Sequence, residues 1–288
     1  MSPFVNVSSH QSSESKVALV TGASSGIGLE TSLELIKKGW WVFGAARRVK
    51  LMEPIERSGG KVLSLDLSDD ESMKRCVENV LQEAGHIDLL VNNAGFGQAG
   101  SVEETSLADA RRQFDVNVFG LVRMAQLVLP SMRQRGQGRI VNVSSMAGRF
   151  SSPFLGWYHA SKYAVEALSD ALRVETAPFG IKVAVVEPGL IKTDWGTIAA
   201  KSLREVSGTG DYKAAAGKVA SFYERVYTPQ SRGASEVECI ARVIVRASCD
   251  RRPKSRYVAG RNAQLFITGR RLLSDRAFDK LVRAFFGL

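Results

Sequence analysis

Val17–Gly28 reads VALVTGASSGIG: a short apolar run passing into a loop with glycines at 22, 26 and 28. Val17–Val20 has the length and character of a buried strand. An amphipathic helix then continues to about Lys38. Glycine lets a backbone approach a pyrophosphate closely. The first turn of a helix adds free N–H groups and the positive end of its dipole. The strand–loop–helix order therefore points to a dinucleotide-phosphate site at Gly22, Ser24, Ser25, Gly26, Ile27 and Gly28. The glycine spacing is not GxGxxG.

The same rhythm repeats downstream. Apolar, strand-like runs lie at 41–45, 61–65, 87–91, 139–143 and 181–186, with helical patterns at 69–84, 106–134 and 157–177. Near-continuous apolar strands fit a parallel sheet covered on both faces. Repeated βα units predict an α/β fold: one domain, over 16–262, built on a doubly wound parallel sheet of Rossmann type. A last helix near 234–248 and a strand at 256–258 close it. Residues 195–232 are less regular and richer in Gly, Ala and Ser and read as a helical excursion from the sheet, a lid over a substrate site. Residues 263–288 read as a basic, amphipathic helical tail. Residues 1–15 hold six serines and no apolar stretch, so they are expected to be disordered and not a signal peptide.

Composition excludes several classes. No apolar run reaches 18 residues, so no transmembrane helix is expected. Cys76, Cys239 and Cys249 have no metal spacing, and the three histidines are scattered; no metal is predicted, and the thiols suit a reducing, cytoplasmic setting. Of the net charge of +10, the segment from Arg242 onward carries +9. Such a tail suits solubility, an anionic partner or a membrane surface. No aromatic-basic motif accompanies it, so nucleic acid is not an expected partner.

The second strand decides the cofactor. NAD-binding chains place an Asp or Glu at its end to hold the ribose 2′-hydroxyl. Here Ala46 is followed by Arg47 and Arg48. Guanidinium groups can clamp a 2′-phosphate, so NADP(H) is expected, with Arg47 the main contact, Arg48 beside it, and Ser24 or Ser25 assisting. Asp66 and Leu67 follow the third strand. Asp66 is open to two readings, an acceptor for the adenine amino group or the cap of the next helix.

Tyr158 and Lys162 share one helical face at i, i+4, thirteen residues beyond Ser145. At about 5 Å and an effective dielectric of about 20, the ammonium would favour the phenolate by roughly 3 kcal/mol, about 2 pKa units before desolvation. That predicts a tyrosine able to act as general acid or base, with the Ser145 hydroxyl holding a substrate oxygen.

Four motifs stand in order: TGASSGIG at 21–28, NNAG at 92–95, VNVSS at 141–145 with YHASK at 158–162, and PGLIKT at 188–193. Together they resemble the short-chain dehydrogenase/reductase family, over about residues 16–260. The resemblance implies hydride transfer between a nicotinamide and a carbonyl or alcohol. By the same resemblance Tyr158 moves the proton, and Lys162 serves both the tyrosine and the nicotinamide ribose. Asn117 would order a water for proton relay. Asn93, Ala94 and Gly95 would lie beside the cofactor, and Pro188, Gly189, Ile191 and Thr193 would hold its nicotinamide end. Homodimers or homotetramers are implied. A catalytically silent regulatory protein of the same fold is the alternative.

Phe96, Met146, Phe150, Phe154, Trp157 and Trp195 flank the proposed catalytic positions and are the candidate substrate contacts. They suggest an apolar carbonyl or alcohol, similar to the substrates of hydroxysteroid and retinol dehydrogenases. The tail is expected first to pack on the domain or a subunit interface, and second to touch a membrane surface.

Overall fold

The computed structural model describes residues 15–228 and 230–288. The expected disorder of residues 1–15 therefore lies, apart from Ser15, outside the described residues. Strands β1 (Val17–Thr21), β2 (Trp41–Ala46), β3 (Lys61–Ser64), β4 (Leu89–Asn92), β5 (Gly138–Val143), β6 (Ile181–Pro188) and β7 (Arg256–Ala259) form one sheet in the order β3-β2-β1-β4-β5-β6-β7. Every neighbouring pair is parallel. The order reverses at β1 and β4, which leaves a crevice beyond the carboxyl ends of those two strands.

Alternation along the strands sorts the core into two layers. Ala18, Val20, Leu89, Val91, Val141 and Val186 face one side, where α1 (Gly26–Lys37), the short α2 (Glu53–Arg57) and α9 (Val237–Cys249) pack. Val17, Leu19, Leu90, Ile140 and Val183 face the other, against α3 (Asp70–Ala84) and α5 (Leu121–Gln134). Asp69 caps α3 by accepting from the Glu71 N–H. That settles one of the two readings of Asp66: it does not cap the helix, and its carboxylate accepts from the Ser68 N–H and hydroxyl.

Two expectations change. The predicted strand over 87–91 begins at Leu89, because Asp88 turns its carboxylate to the Val17 N–H and to Arg135 and His86. The helix predicted over 106–134 is α4 (Leu107–Phe114) and α5 joined by a π segment, Asp115–Gly120. The excursion over 195–232 is helical as expected and holds α7 (Trp195–Ser207) and α8 (Lys213–Val226). Alanine is the best helix former, and buried Ala199, Ala200, Ala216 and Ala220 let the two helices approach closely.

The tail also folds as two helices, α10 (Ala263–Leu272) and α11 (Asp275–Phe286), with Ser274 at the N-cap of the second. Both pack on the domain. Phe266 stacks on Phe150 at 4.9 Å and meets Phe285 edge-on at 4.8 Å. Among the described residues no helix is long and apolar enough to cross a membrane. Phe266 is 2% exposed. Phe266→Ala should therefore cost about 3 kcal/mol of stability, read as a lower denaturant midpoint. A loss below about 1 kcal/mol would show that the tail is not part of the core.

Candidate active site

The crevice is a cleft of about 670 Å³ that runs from the glycine loop to the tail. At one end it is floored by backbone. Gly22 adopts φ +68°, a left-handed conformation that glycine reaches without a Cβ clash. A Cβ on Gly28 would lie 2.5 Å from Asn93 Nδ2 and press on the Gly22 carbonyl. Gly28 itself does not line the cleft; it lets the loop lie flat on the helix. Asn93 Nδ2 donates to the Thr21 and Gly22 carbonyls at 3.0 and 3.3 Å and so clamps the loop. Ser25 sits at the N-cap of α1 with no side-chain cap bond, which leaves the first-turn N–H groups open to an anion. Arg48 reaches the hydroxyls of Ser24 at 3.3 Å and Ser25 at 3.1 Å. Arg47 is exposed beside it, and its charge helps to hold the Asp66 carboxyl low, after the stronger effect of the Ser68 hydrogen bonds. Leu67, Ala94, Pro188, Gly189, Ile191 and Thr193 line the same half.

In the middle of the cleft α6 (Gly156–Thr176) brings Tyr158 and Lys162 against the end of β5. Lys162 is 5% exposed, and its Nζ donates to the Val143 carbonyl at 3.0 Å. Burial lowers its pKa to about 8, partly offset by Glu166 one turn further along. Lys162 Nζ lies 5.9 Å from the Tyr158 ring centre. The expected depression of the tyrosine pKa is not found. Burial raises the Tyr158 phenol to about 12, and the Ser145 hydroxyl only partly opposes this. Desolvation penalises the phenolate more than the distant ammonium favours it. Ser145 also accepts from the Ala147 N–H at 3.1 Å, which fixes the turn after β5.

Asn117 lies in the π segment and is 1% exposed. Its Oδ1 accepts from the Phe96 N–H at 3.0 Å. Its Nδ2 donates to the Phe96 carbonyl at 2.9 Å and to the Ser161 hydroxyl at 3.1 Å. A Cβ on Gly95 would meet Asn117 Oδ1 at 3.1 Å and Lys162 Nζ at 3.6 Å. Asn117 thus stands across Gly95 from the lysine, holding the loop of Phe96 to α6.

The far end is aromatic. Phe96, Met146, Phe150 and Trp195 line it as expected. Phe154 and Trp157 do not. Phe154 is buried in the α7–α8 core against Tyr212. Trp157 precedes Tyr158 on α6, so it points about 100° away, edge-on to Phe114. Leu155, Ile198, Tyr223 and Tyr227 take their place, with Phe266, Phe285 and Phe286 from the tail.

Two groups escaped the sequence reading. His159 bridges the loop after β5: its Nδ1 meets the Ala147 carbonyl at 2.8 Å, and its Nε2 accepts from the Ser152 N–H at 3.1 Å. Burial lowers its pKa to about 4, so the ring is neutral. Behind Lys162, Arg256 Nε reaches Glu166 at 2.9 Å and Glu187 at 3.3 Å, and Arg149 flanks both acids at 3.8 Å. No local signal announces contacts made across ninety residues of chain.

The short chain dehydrogenase family matches residues 16–202. A probable short-chain type dehydrogenase/reductase, VdlC, of Helicobacter pylori is 38% identical over 267 residues, covering 93% of this chain and 96% of that protein. An NADPH-dependent 3-dehydrocapnine reductase of Ornithobacterium rhinotracheale is 33% identical, covering 92% and 95%. A short-chain dehydrogenase structure from Streptomyces avermitilis superposes with a TM-score of 0.77 at 34% identity, covering 94% and 98%. The chain belongs to the short-chain dehydrogenase family and has its nicotinamide-binding fold.

The buried acids generate a pH test. Burial, then repulsion from Glu166, raises the Glu187 carboxyl to about 7 from an ordinary value of 4.5. A carboxyl raised in the folded state adds stability below its unfolded pKa, and that stability is lost as pH rises through the folded value. Glutamine cannot titrate. The stability of the native chain relative to Glu187→Gln should therefore fall, by on the order of 1–3 kcal/mol, between about pH 5 and pH 7, and level off above. Unfolding midpoints at matched pH read this, and a pH-independent difference would sink the assignment.

Proposed function

We propose that this protein is an NADP(H)-dependent reductase of a carbonyl group carried on a largely apolar molecule. One observation carries the reading: Ser145, Tyr158 and Lys162 meet where the glycine-floored half of a single cleft joins its aromatic half. The residues fit the cofactor. The open N-terminus of α1 and the flat glycine loop suit a pyrophosphate, and Lys162 suits a ribose hydroxyl. That loop takes either dinucleotide, so the choice falls to Arg47 and Arg48 at the end of β2, where no carboxylate stands. The relative named for NADPH dependence supports the same choice.

When bound, the cofactor supplies a hydride at nicotinamide C4. The chain's residues handle the proton. With a pKa of about 12, the Tyr158 phenol is protonated at neutral pH and is a donor to an oxygen gaining charge. Ser145 donates a second hydrogen bond to that oxygen. Both bonds strengthen as negative charge appears, which is where they accelerate the step. Lys162, charged below about pH 8, offsets the charge left on the phenolate. Asn117 keeps Gly95 and α6 in register, and a water beside it would return the proton. The aromatic half excludes water and takes the apolar skeleton.

Tyr158→Phe removes the donor, with its hydrogen bond to Ser145, and keeps the ring. Carbonyl reduction should fall by at least about 10²-fold while NADPH binding, read by nucleotide fluorescence, stays. An active Phe variant removes Tyr158 from the mechanism.

The cofactor assignment is tested at the arginines. Replacing Arg47 and Arg48 together by Ala should weaken NADPH by roughly 10- to 100-fold, since hydrogen bonds to charged groups contribute about 1.5–3 kcal/mol. NADH affinity should change little. Equal losses for both nucleotides would overturn the preference for NADP(H).

A further inference from the structure

His159 directly follows Tyr158, is 2% exposed, and takes no part in the proton transfer. Its two ring nitrogens meet the two ends of one short loop. Nε2 accepts from the Ser152 N–H at 3.1 Å and lies 2.8 Å from the Ser152 hydroxyl. Nδ1 lies 2.8 Å from the Ala147 carbonyl. A ring nitrogen that accepts carries no proton, so the single proton of the neutral ring sits on Nδ1 and is donated to that carbonyl. Burial favours this neutral form and lowers the pKa to about 4.

The near end of the loop begins at Ser145. This residue opens a 3₁₀ turn over Met146–Gly148, and its Oγ accepts from the Ala147 N–H at 3.1 Å. That bond occupies a lone pair and leaves the hydroxyl proton to be donated towards Tyr158 or a substrate oxygen. Ala147 is thus held from both sides. Its N–H fixes the serine oxygen, and its carbonyl is fixed by the histidine. Ala147 is buried, so a carbonyl released by the ring would be left without its partner, a penalty that favours rearrangement of the turn. The same ring packs on Phe150 within the loop, with centroids 5.4 Å apart.

We propose that His159 is a positioning residue for Ser145: acting through Ala147, it sets the direction in which the serine hydroxyl is presented beside Tyr158. The inference rests on the carbonyl-reductase reading above, in which Ser145 donates to the reacting oxygen. That bond strengthens as charge appears, so its misplacement lowers kcat and leaves KM alone. A displacement of about 1 Å in such a group can cost about 10²-fold.

The test is a double-mutant cycle on the reduction of a long-chain methyl ketone by NADPH. His159→Phe keeps a ring and removes both hydrogen bonds. In the native background it should lower kcat by about 10- to 100-fold, with ketone KM and NADPH affinity each changed by less than about 3-fold. In a Ser145→Ala background it should cost less than about 3-fold, because no hydroxyl is left to aim. Equal losses in the two backgrounds would show a general effect on the fold, and overturn the inference while leaving the reductase reading intact. Should the Phe variant not fold, or Ser145→Ala be too slow to measure, His159→Asn decides. Its amide nitrogen can replace Nδ1 as donor to Ala147, and it lacks the acceptor for Ser152. Recovery of kcat to within about 5-fold of the native value upholds the inference, and an Asn variant slowed by about 10-fold or more refutes it. If the native chain reduces no ketone, the reductase reading falls separately. Amide exchange then reads the positioning itself. In His159→Phe the Ala147 amide should exchange at least about 10-fold faster while those of β5 keep their protection, and unchanged exchange at Ala147 refutes the coupling.

Discussion

The hydrogen bond from Lys162 Nζ to the Val143 carbonyl is the contact on which the rest of the site depends. A buried ammonium is costly unless its donors are used. Here the end of a central strand supplies the acceptor. The bond pins α6 to the sheet where the strand order reverses, and it fixes what lies on either side. Ser145 follows Val143 by two residues and holds the turn that leaves the strand. Tyr158 stands one helical turn before the lysine. Gly95 and Asn117 close the other flank, packed so closely that a Cβ on Gly95 would crowd Asn117 Oδ1. The π segment that carries Asn117 widens the helix beside this junction, the place where such irregularities are most often found.

The same burial that fixes the lysine also sets the chemistry of its neighbour. A Coulomb estimate from a four-residue spacing treats the pair as partly solvated, and it predicts a tyrosine pKa lowered by the cation. In the folded protein both groups are taken out of water, and each moves towards its neutral form, the phenol to about 12 and the ammonium to about 8. Desolvation wins because the ammonium is spent on a carbonyl and stands 5.9 Å from the ring. The result is a phenol that holds its proton at neutral pH. Behind it Glu166, midway along α6, and Glu187, near the end of β6 and just before Pro188 and Gly189, meet Arg256 at the start of β7, with Arg149 beside them. They tie α6 to the loop that borders the glycine-floored half of the cleft.

The legible parts of this fold are those whose signals are local. Strand runs, the glycine loop and the α6 spacing each follow from residues adjacent in the chain, and they appear where the sequence puts them. The excursion over 195–232 is helical as expected, but its Gly, Ala and Ser content gives no boundaries for α7 and α8, because the buried alanines that let the two helices pack closely are identified only in the fold. Phe154 and Trp157 were misplaced for a directional reason. Proximity to Tyr158 in sequence says nothing about which way a side chain points, and on a helix the next residue points elsewhere. His159 and the Glu166–Glu187–Arg149–Arg256 group were invisible because their partners meet only after the chain has folded.

The two halves of the cleft are therefore different kinds of structure. The cofactor half is made of strand ends, a helix N-terminus and glycines, all within the span that matches the family. The aromatic half draws on Phe96, Met146, Phe150 and Trp195 within that span, and on Tyr223, Tyr227, Phe266, Phe285 and Phe286 beyond residue 202, where that match ends. Ser145, Tyr158 and Lys162 lie inside the matched span, whereas α8, α10 and α11, which carry much of the aromatic wall, lie outside it. The shape of that wall therefore depends on how these three helices pack on the domain, through Ala216, Ala220, Phe266 and Phe278.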